Sequence, residues 1–290
     1  MTNTDTIAKS AQTSAGTLEA PGQVDGQVHG ETHGQIHGQI QGQIQGQIQG
    51  RPEFSVVVPV HNEAGNVEAL AAEIAGHLAG RAYEMIFVDD SSLDDTRARL
   101  VALRTSLPNL RVLGHRTNAG QSRAVRTGVM AARAPVIITL DGDGQNDPDD
   151  LIGLVGQLAR ADAPANLALV QGHREKRQDS GWKRFGSRMA NSVRRSMLRD
   201  DIADSGCGVR AFRRDAFLAI PYFDHMHRYL PALMISEGFA VESRKVNHRP
   251  RRFGRSNYTN FGRLGDALSD LRGVMWLRHR RRSPGGVDEL

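Results

Sequence analysis

Apolar positions along this chain follow two alternating rhythms. Phe54–Val60 is a nearly unbroken β-branched run, as expected of a strand buried on both faces. From Glu63 to about Gly80, Val67, Leu70, Ile74 and Leu78 recur at helical spacing and predict an amphipathic helix. The alternation then repeats. Tyr83–Val88 reads as a strand, Asp94–Leu107 as a helix stopped by Pro108, and Leu110–Gly114 as a strand. Ser122–Ala132 follows as a helix and Pro135–Leu140 as a strand. This order predicts an α/β fold, a mostly parallel sheet with helices on both faces. Ligands of such sheets bind beyond the carboxyl ends of the strands.

The first fifty residues have neither rhythm. From Gly22 a four-residue period appears and settles into Gly-Gln-Ile-Gln through Gly38–Gln49. Glycine every fourth residue opposes a helix, and the apolar content is too small to offset ordering entropy, so residues 1–50 read as a disordered tail. His29, His33 and His37 offer a compositional metal-binding reading, against which a plain solvated tail is the simpler one. Residues 51–250 then form the α/β domain, and 251–290 an amphipathic, basic C-terminal segment.

Charge narrows the partner. The chain of 290 residues has a formal net charge of +5, and residues 51–290 carry 36 bases against 28 acids. Such a body suits nucleotide phosphates, lipid phosphates or nucleic acid. A nucleic-acid module calls for an aromatic-studded basic face, whereas aromatics are 5% and scattered. With Cys207 alone, no disulfide forms within the chain, which fits a reducing compartment. No apolar run approaches the roughly 18 residues of a membrane span, and no signal-peptide core is present, so an intracellular protein without a span is expected.

The polar residues fall at the predicted strand ends. The first strand runs into Pro59-Val60-His61-Asn62-Glu63, the second into Asp89-Asp90-Ser91-Ser92, and the fourth into Asp141-Gly142-Asp143-Gly144-Gln145. Asp141 and Asp143 are one residue apart, with glycines that let the backbone turn sharply. Carboxylates that close repel unless a cation or proton sits between them, and Mg²⁺ or Mn²⁺ would bridge them to phosphate oxygens. The bland alternative is a tight surface turn. For Asp89-Asp90 it is an Asx turn, with Asp94 as a helix cap. A cap needs only one acid, and the surplus suggests hydrogen bonds to the base or ribose of a nucleotide.

Together with Asn118-Ala119-Gly120 and Asn146-Asp147-Pro148, these segments resemble family 2 glycosyltransferases of the GT-A fold. The resemblance runs from about Phe54 to Leu277, and the closest group looks like the polyprenol-phosphate (dolichol-phosphate) mannosyltransferases. It implies a donor site of Pro59, His61, Asn62, Glu63, Asp89, Asp90, Asn118, Gly120 and Asp141. Asp141, Asp143 and Gln145 would hold Mg²⁺ or Mn²⁺ and the donor diphosphate. The family usually has tyrosine at His61 and glycine at Ser91.

The second half carries the acceptor expectation. Residues 172–199 hold nine Lys and Arg against Glu175 and Asp179, a solvated basic face by charge alone. By the resemblance, Arg174, Arg184 and Ser187 grip a lipid phosphate, a geometry suited to arginine forks. Ser205–Arg214 is expected to close the pocket, with Asp204 and Arg210 facing it. Cys207 has no activating partner in the sequence and reads as packing rather than nucleophile. His225 and His227 raise a zinc reading that no Cys or carboxylate pattern supports. His248-Arg249-Pro250-Arg251 and Gly254–Tyr258 also match the group.

Phe261, Leu264, Leu268, Leu271 and Met275, followed by Trp276 and the basic run Arg278–Arg282, suggest a helix that lies on an anionic leaflet. The equal alternative packs it on its own domain or a second subunit. The expected activity is inverting, metal-dependent transfer of a hexose, with GDP-mannose the favoured donor, to polyprenyl phosphate at the cytoplasmic membrane face. Asp143, Arg174, Arg184, Asp204 and Arg210 are its catalytic candidates. A different sugar, a polysaccharide acceptor or a non-catalytic sugar-nucleotide sensor are the other readings.

Overall fold

A computed structural model describes residues 51–174, 198, 202, 204–251 and 262–282. The repeat tail with its three histidines, Arg184, Ser187, Gly254–Tyr258 and Phe261 lie outside the described residues. Among the described residues one sheet has seven strands: β1 (Phe54–Val60), β2 (Tyr83–Asp89), β3 (Leu110–Gly114), β4 (Val136–Thr139), β5 (Leu167–Arg174), β6 (Arg210–Arg213) and β7 (Ala240–Val246). The helices are α1 (Val67–His77), α2 (Thr96–Leu103), α3 (Gln121–Ala131), α4 (Asp150–Leu158), α5 (Arg214–Ala219), α6 (Leu230–Ser236) and α7 (Gly262–Arg280), with a 3-10 turn at Met226–Arg228.

The strand order is β3-β2-β1-β4-β6-β5-β7. β3, β2, β1 and β4 run parallel; β6 is antiparallel to β4 and β5, and β7 is parallel to β5. Only β6 opposes the rest. The sheet is thus mostly parallel, and its two faces carry separate cores. Val56, Val58 and Val60 of β1 share a core with Leu70 and Ile74 of α1, Leu100 of α2 and Leu154 of α4. Val57 faces the other core, with Val125 and Val129 of α3, Phe217 of α5 and Leu233 of α6. Successive side chains of a strand point to opposite faces, so a strand covered on both sides is apolar at every position.

The strands match the sequence expectation closely, and the first two helices begin later than expected. α1 starts at Val67 rather than Glu63 because the backbone amides before it are engaged elsewhere. Asn62 N donates to Ser92 Oγ (2.9 Å), Glu63 N to Thr96 Oγ1 (2.8 Å) and Ala64 N to Asp94 Oδ2 (3.2 Å). Asp94 also accepts the Thr96 amide at 3.0 Å from one residue before the N-cap, Asp95, whose side chain makes no capping bond, so Asp94 acts as a turn residue rather than the expected cap.

Ser205–Arg214 walls the pocket through Gly208 and Arg210, as expected of it, and its second half is β6, inserted between β4 and β5 with Ala211 and Phe212 fully buried. The apolar stripe expected of the last helix enters the core in part. Leu271 and Val274 of α7 join the second core and Met275 packs against it, whereas Leu268 (45%) and Trp276 (60%) stay exposed. The helix therefore packs on its own domain and keeps Leu268 and Trp276 on an outer face shared with Ser269, Arg272 and Arg280. Among the described residues no helix is long and apolar enough to cross a membrane.

Candidate active site

The sheet order reverses between β1 and β4. The chain leaves β1 to build β2 and β3 on one side, while β4 pairs with β1 on the other. At such a switch point the connections diverge and a crevice opens at the strand carboxyl ends. The three acidic and amide-bearing segments of the sequence all end there, after β1, β2 and β4.

On the β2 side, the two aspartates have different work. Asp89 is fully buried, and its Oδ2 receives Nε and Nη2 of Arg97, each at 2.6 Å. Asp90 holds the loop before α3. Its Oδ1 accepts from His115 Nδ1 (2.6 Å) and Ala119 N (2.9 Å), and its Oδ2 from Gly120 N (2.7 Å). The Asp90 carbonyl accepts Asn118 Nδ2 at 3.1 Å and lies 2.9 Å from His61 Nδ1. Asn62 (φ 57°) and Ser91 (φ 61°) adopt the left-handed conformation, so a glycine at position 91 in relatives follows from the turn itself. Glu63 is raised above the usual carboxylate range by burial, against its bond from Asn66 Nδ2. His61, Asn62, Asp90, Asn118 and Gly120 thus form one bonded cluster, and Pro59 lines the adjoining pocket with Asp141.

On the β4 side, Asp141 leaves the strand with its amide bonded to Asn146 Oδ1 (2.9 Å), which pins the turn. Gly144 takes φ 71°, and at Gly142 a Cβ would lie 2.5 Å from Val60 Cγ1. Both glycines are therefore required by the turn. Asp141 Oδ1 accepts Gln121 Nε2 at 2.8 Å. Burial, then the charge of Asp143, pushes Asp141 up to about 6; Arg210 and Arg174 oppose the rise. Asp143 Oδ1 accepts the Gln145 amide (3.1 Å), and its Oδ2 accepts Arg251 Nη2 (2.7 Å). Two carboxylates and a glutamine amide make an all-oxygen donor set of the kind Mg²⁺ and Mn²⁺ take, with room for phosphate oxygens as further ligands. That Asp143 attracts a cation even here, in Arg251, fits this chemistry. Among the described residues no cluster of three His, Cys, Asp or Glu forms a self-sufficient metal cage.

Behind Asp141 lies a narrow pocket bounded by Gln121, Ser122, Gly208, Arg210, Met226 and His227. Arg210 is 4% exposed and donates Nη1 to His227 O (2.8 Å) and Nη2 to Cys207 O (2.7 Å), while its Nε has no partner. Burial draws it below the usual arginine range. Arg174, at the end of β5, forms a two-pronged pair with Asp204: Nε to Oδ2 at 2.7 Å and Nη2 to Oδ1 at 2.9 Å. Cys207 is buried and pushed up to about 11, chiefly by burial, which keeps its thiol protonated near neutral pH. His225 and His227 do not converge on a shared ion: Nδ1 of His225 faces Asp270 Oδ2 (3.0 Å) and Nδ1 of His227 faces Ser122 Oγ (2.7 Å).

Among the described candidates, Pro59, Asp141 and Arg210 line one pocket, His61, Asn62, Asp90, Asn118 and Gly120 form the adjoining bonded cluster, and Asp89 is fully buried against Arg97. The structure also adds Arg97, His115, Gln121, Ser122, His227 and Arg251, to which the sequence gave no individual role, and picks out Gly208 within the segment expected at the pocket. None lies within an acidic motif, and all but Arg97, eight residues from Asp89, meet partners far along the chain.

A mostly parallel α/β sheet with acidic strand ends at the switch point fits a GT-A architecture. The chain belongs to the glycosyl transferase family 2, whose model matches residues 55–220. It is 31% identical over 240 residues to a dodecaprenyl-phosphate galacturonate synthase of Rhizobium johnstonii, covering 80% of this chain and 69% of that one. It is 33% identical over 223 residues to an undecaprenyl-phosphate 4-deoxy-4-formamido-L-arabinose transferase of Pseudomonas paraeruginosa, covering 75% and 63%. The chain thus spans about two thirds of the length of these relatives, and their names carry a uronate and an aminopentose rather than mannose. Its fold is similar to glucosyl-3-phosphoglycerate synthase of Mycobacterium tuberculosis in complex with Mn²⁺, UDP-glucose and phosphoglyceric acid, with a TM-score of 0.59, 20% identity and coverage of 81% and 82%.

Proposed function

We propose that this protein transfers a pyranosyl group from a nucleoside-diphosphate sugar to a polyprenyl phosphate, with inversion at the anomeric carbon. The observation that carries the reading is the pairing of Asp141 and Asp143 at the end of β4 with the Arg174–Asp204 fork at the end of β5. One site suits a divalent ion and a diphosphate; the other presents a cation to a second anion. The relatives named for polyprenyl-phosphate acceptors support this division.

Asp141, Asp143 and Gln145 would hold Mg²⁺ or Mn²⁺, which supplies positive charge to the departing diphosphate. Asp90 fixes the Asn118–Gly120 loop; beside it Pro59, His61, Asn62 and Glu63 would line the nucleoside pocket, over Asp89 held by Arg97. Arg174, with Arg184 and Ser187, orients the lipid phosphate, and Asp204 holds Arg174 in place. The phosphate oxygen attacks the anomeric carbon as the bond to the diphosphate breaks. A phosphate monoester is already anionic near neutral pH, so positioning and electrostatics suffice and no strong base is needed. The buried Arg210 contributes positive potential near Asp141.

A location at the cytoplasmic membrane surface belongs to the same proposal. The exposed face of α7 presents Leu268, Arg272 and Trp276, with Arg280 stacked over Trp276 at 5.8 Å, a pattern suited to an anionic leaflet.

The test is transfer from labelled GDP-mannose, UDP-glucose, UDP-galacturonate and UDP-N-acetylhexosamines to undecaprenyl phosphate, with Mn²⁺ and with EDTA. Label should enter the lipid only with metal, and Asp143→Ala should abolish it while the protein stays folded. Metal-dependent donor hydrolysis with no lipid label from any donor would move the acceptor elsewhere. GDP-mannose remains the proposed donor, with the uronate and aminopentose of the relatives as its direct competitors.

A further inference from the structure

Asp143 carries a counter-cation supplied by the chain itself. Arg251 Nη2 donates to Asp143 Oδ2 at 2.7 Å, and the two side chains are 27% and 14% exposed. The residues that deliver Arg251 are zipped along the acidic motif. Asn247 N donates to Asp150 Oδ2 (2.7 Å), His248 pairs antiparallel with Asn146, and Arg249 N donates to Gln145 O (2.8 Å). The Arg249 side chain ties the same segment to Glu73 of α1 (2.6 Å) and to Asp147 (2.5 Å). Segment 247–251 is therefore a strap fastened along residues 145–150, and its end places a guanidinium on Asp143. Besides Asp143, the carboxylates acting on Arg251 are Glu63 and Asp141.

We propose that Arg251 is the resident counter-cation of Asp143 in the metal-free protein and that a divalent ion loads in competition with it. The inference rests on the metal role given to Asp143 above. Arg251 and the Gln145 amide occupy one lone pair on each carboxylate oxygen, so an ion binding there competes with them for the carboxylate's charge and lone pairs. The incoming ion must also tolerate a cationic neighbour. The strap backbone is held at positions 247–249, so displacement requires only that the Arg251 side chain swing away. Arg251 thus penalises the bare ion. An ion arriving with a diphosphate brings negative charge that offsets the released guanidinium, which couples metal loading to nucleotide binding.

The experiment is a Mn²⁺ titration of the full chain without nucleotide, following free Mn²⁺ by electron paramagnetic resonance. Arg251→Gln should bind Mn²⁺ about tenfold more tightly than wild type, the scale of one charge-assisted hydrogen bond. Arg251→Lys should stay near wild type, and Arg251→Met gives a second neutral variant should the first melt early by circular dichroism. Equal or weaker binding by both folded neutral variants overturns the proposal. In an Asp143→Asn, Arg251→Gln double variant the gain should vanish, and a gain that persists also overturns it. Absence of sugar transfer by wild type, with the Mn²⁺ pattern intact, would instead remove only the proposed reaction.

Discussion

Gly208 lies against the Asp141 carboxylate so closely that a Cβ at position 208 would fall 2.1 Å from Oδ2. The contact is between residues sixty-seven positions apart, brought together because β6 pairs with β4. No side chain fits between them. Gly208→Ala is expected to push Asp141 out of its place beside Gln121 and reduce transfer by at least about a hundredfold, as for other groups displaced from an electrostatic site. Steady-state transfer with the favoured donor measures it; turnover near wild type would show that the carboxylate can move without loss.

Asp90 is expected to be a structural anchor as well as a wall of the donor pocket. Asp90→Ala leaves three donors in its buried site without their acceptor: His115 Nδ1, Ala119 N and Gly120 N. The loss should be on the order of 3 kcal/mol of stability. Urea unfolding gives the value, and a change below about 0.5 kcal/mol would place the anchor elsewhere.

Ser91 holds φ 61° without help from a glycine. Ser91→Gly should therefore stabilise the fold, by up to about 1 kcal/mol once the greater freedom of glycine in the unfolded chain is allowed for. A lower melting temperature for the variant would mean that the serine side chain contributes more than its backbone strain costs.

His227 is held well below the ordinary histidine range by burial, with Arg210, Arg228 and His225 adding to the effect. It stays neutral in the folded protein while the unfolded chain takes up its proton below about 6.5. Stability from this group is therefore full above that value and is lost as pH falls below it. Thermal midpoints measured between pH 7.5 and 5 should decline less for His227→Gln than for wild type. Parallel curves would assign the decline to other groups.

The resemblance located the family and left the sugar open, for a physical reason. Asp141, Asp143, Asp89 and Asp90 sit in short contiguous motifs because each motif is one strand end, where backbone geometry and chemistry are set together. The pocket beside Asp141 is lined by side chains that come from separate elements, such as Gln121 on α3 and Met226 and His227 on the 3-10 turn. Nothing in their local sequence spacing marks them as neighbours.

By itself the sequence determined the elements, since apolar periodicity specifies which faces must be buried. It also determined the acidic strand ends and the turn that needs glycine at 142 and 144. The tertiary structure decided what each polar group is paired with. Asp89 meets Arg97, Asp90 meets the loop at Gly120, Asp143 meets Arg251, and Leu271 and Val274 rather than Leu268 turn into the core. Those choices depend on strand order and on the insertion of β6 between β4 and β5, and hydrogen bonds between distant residues form only after that order exists.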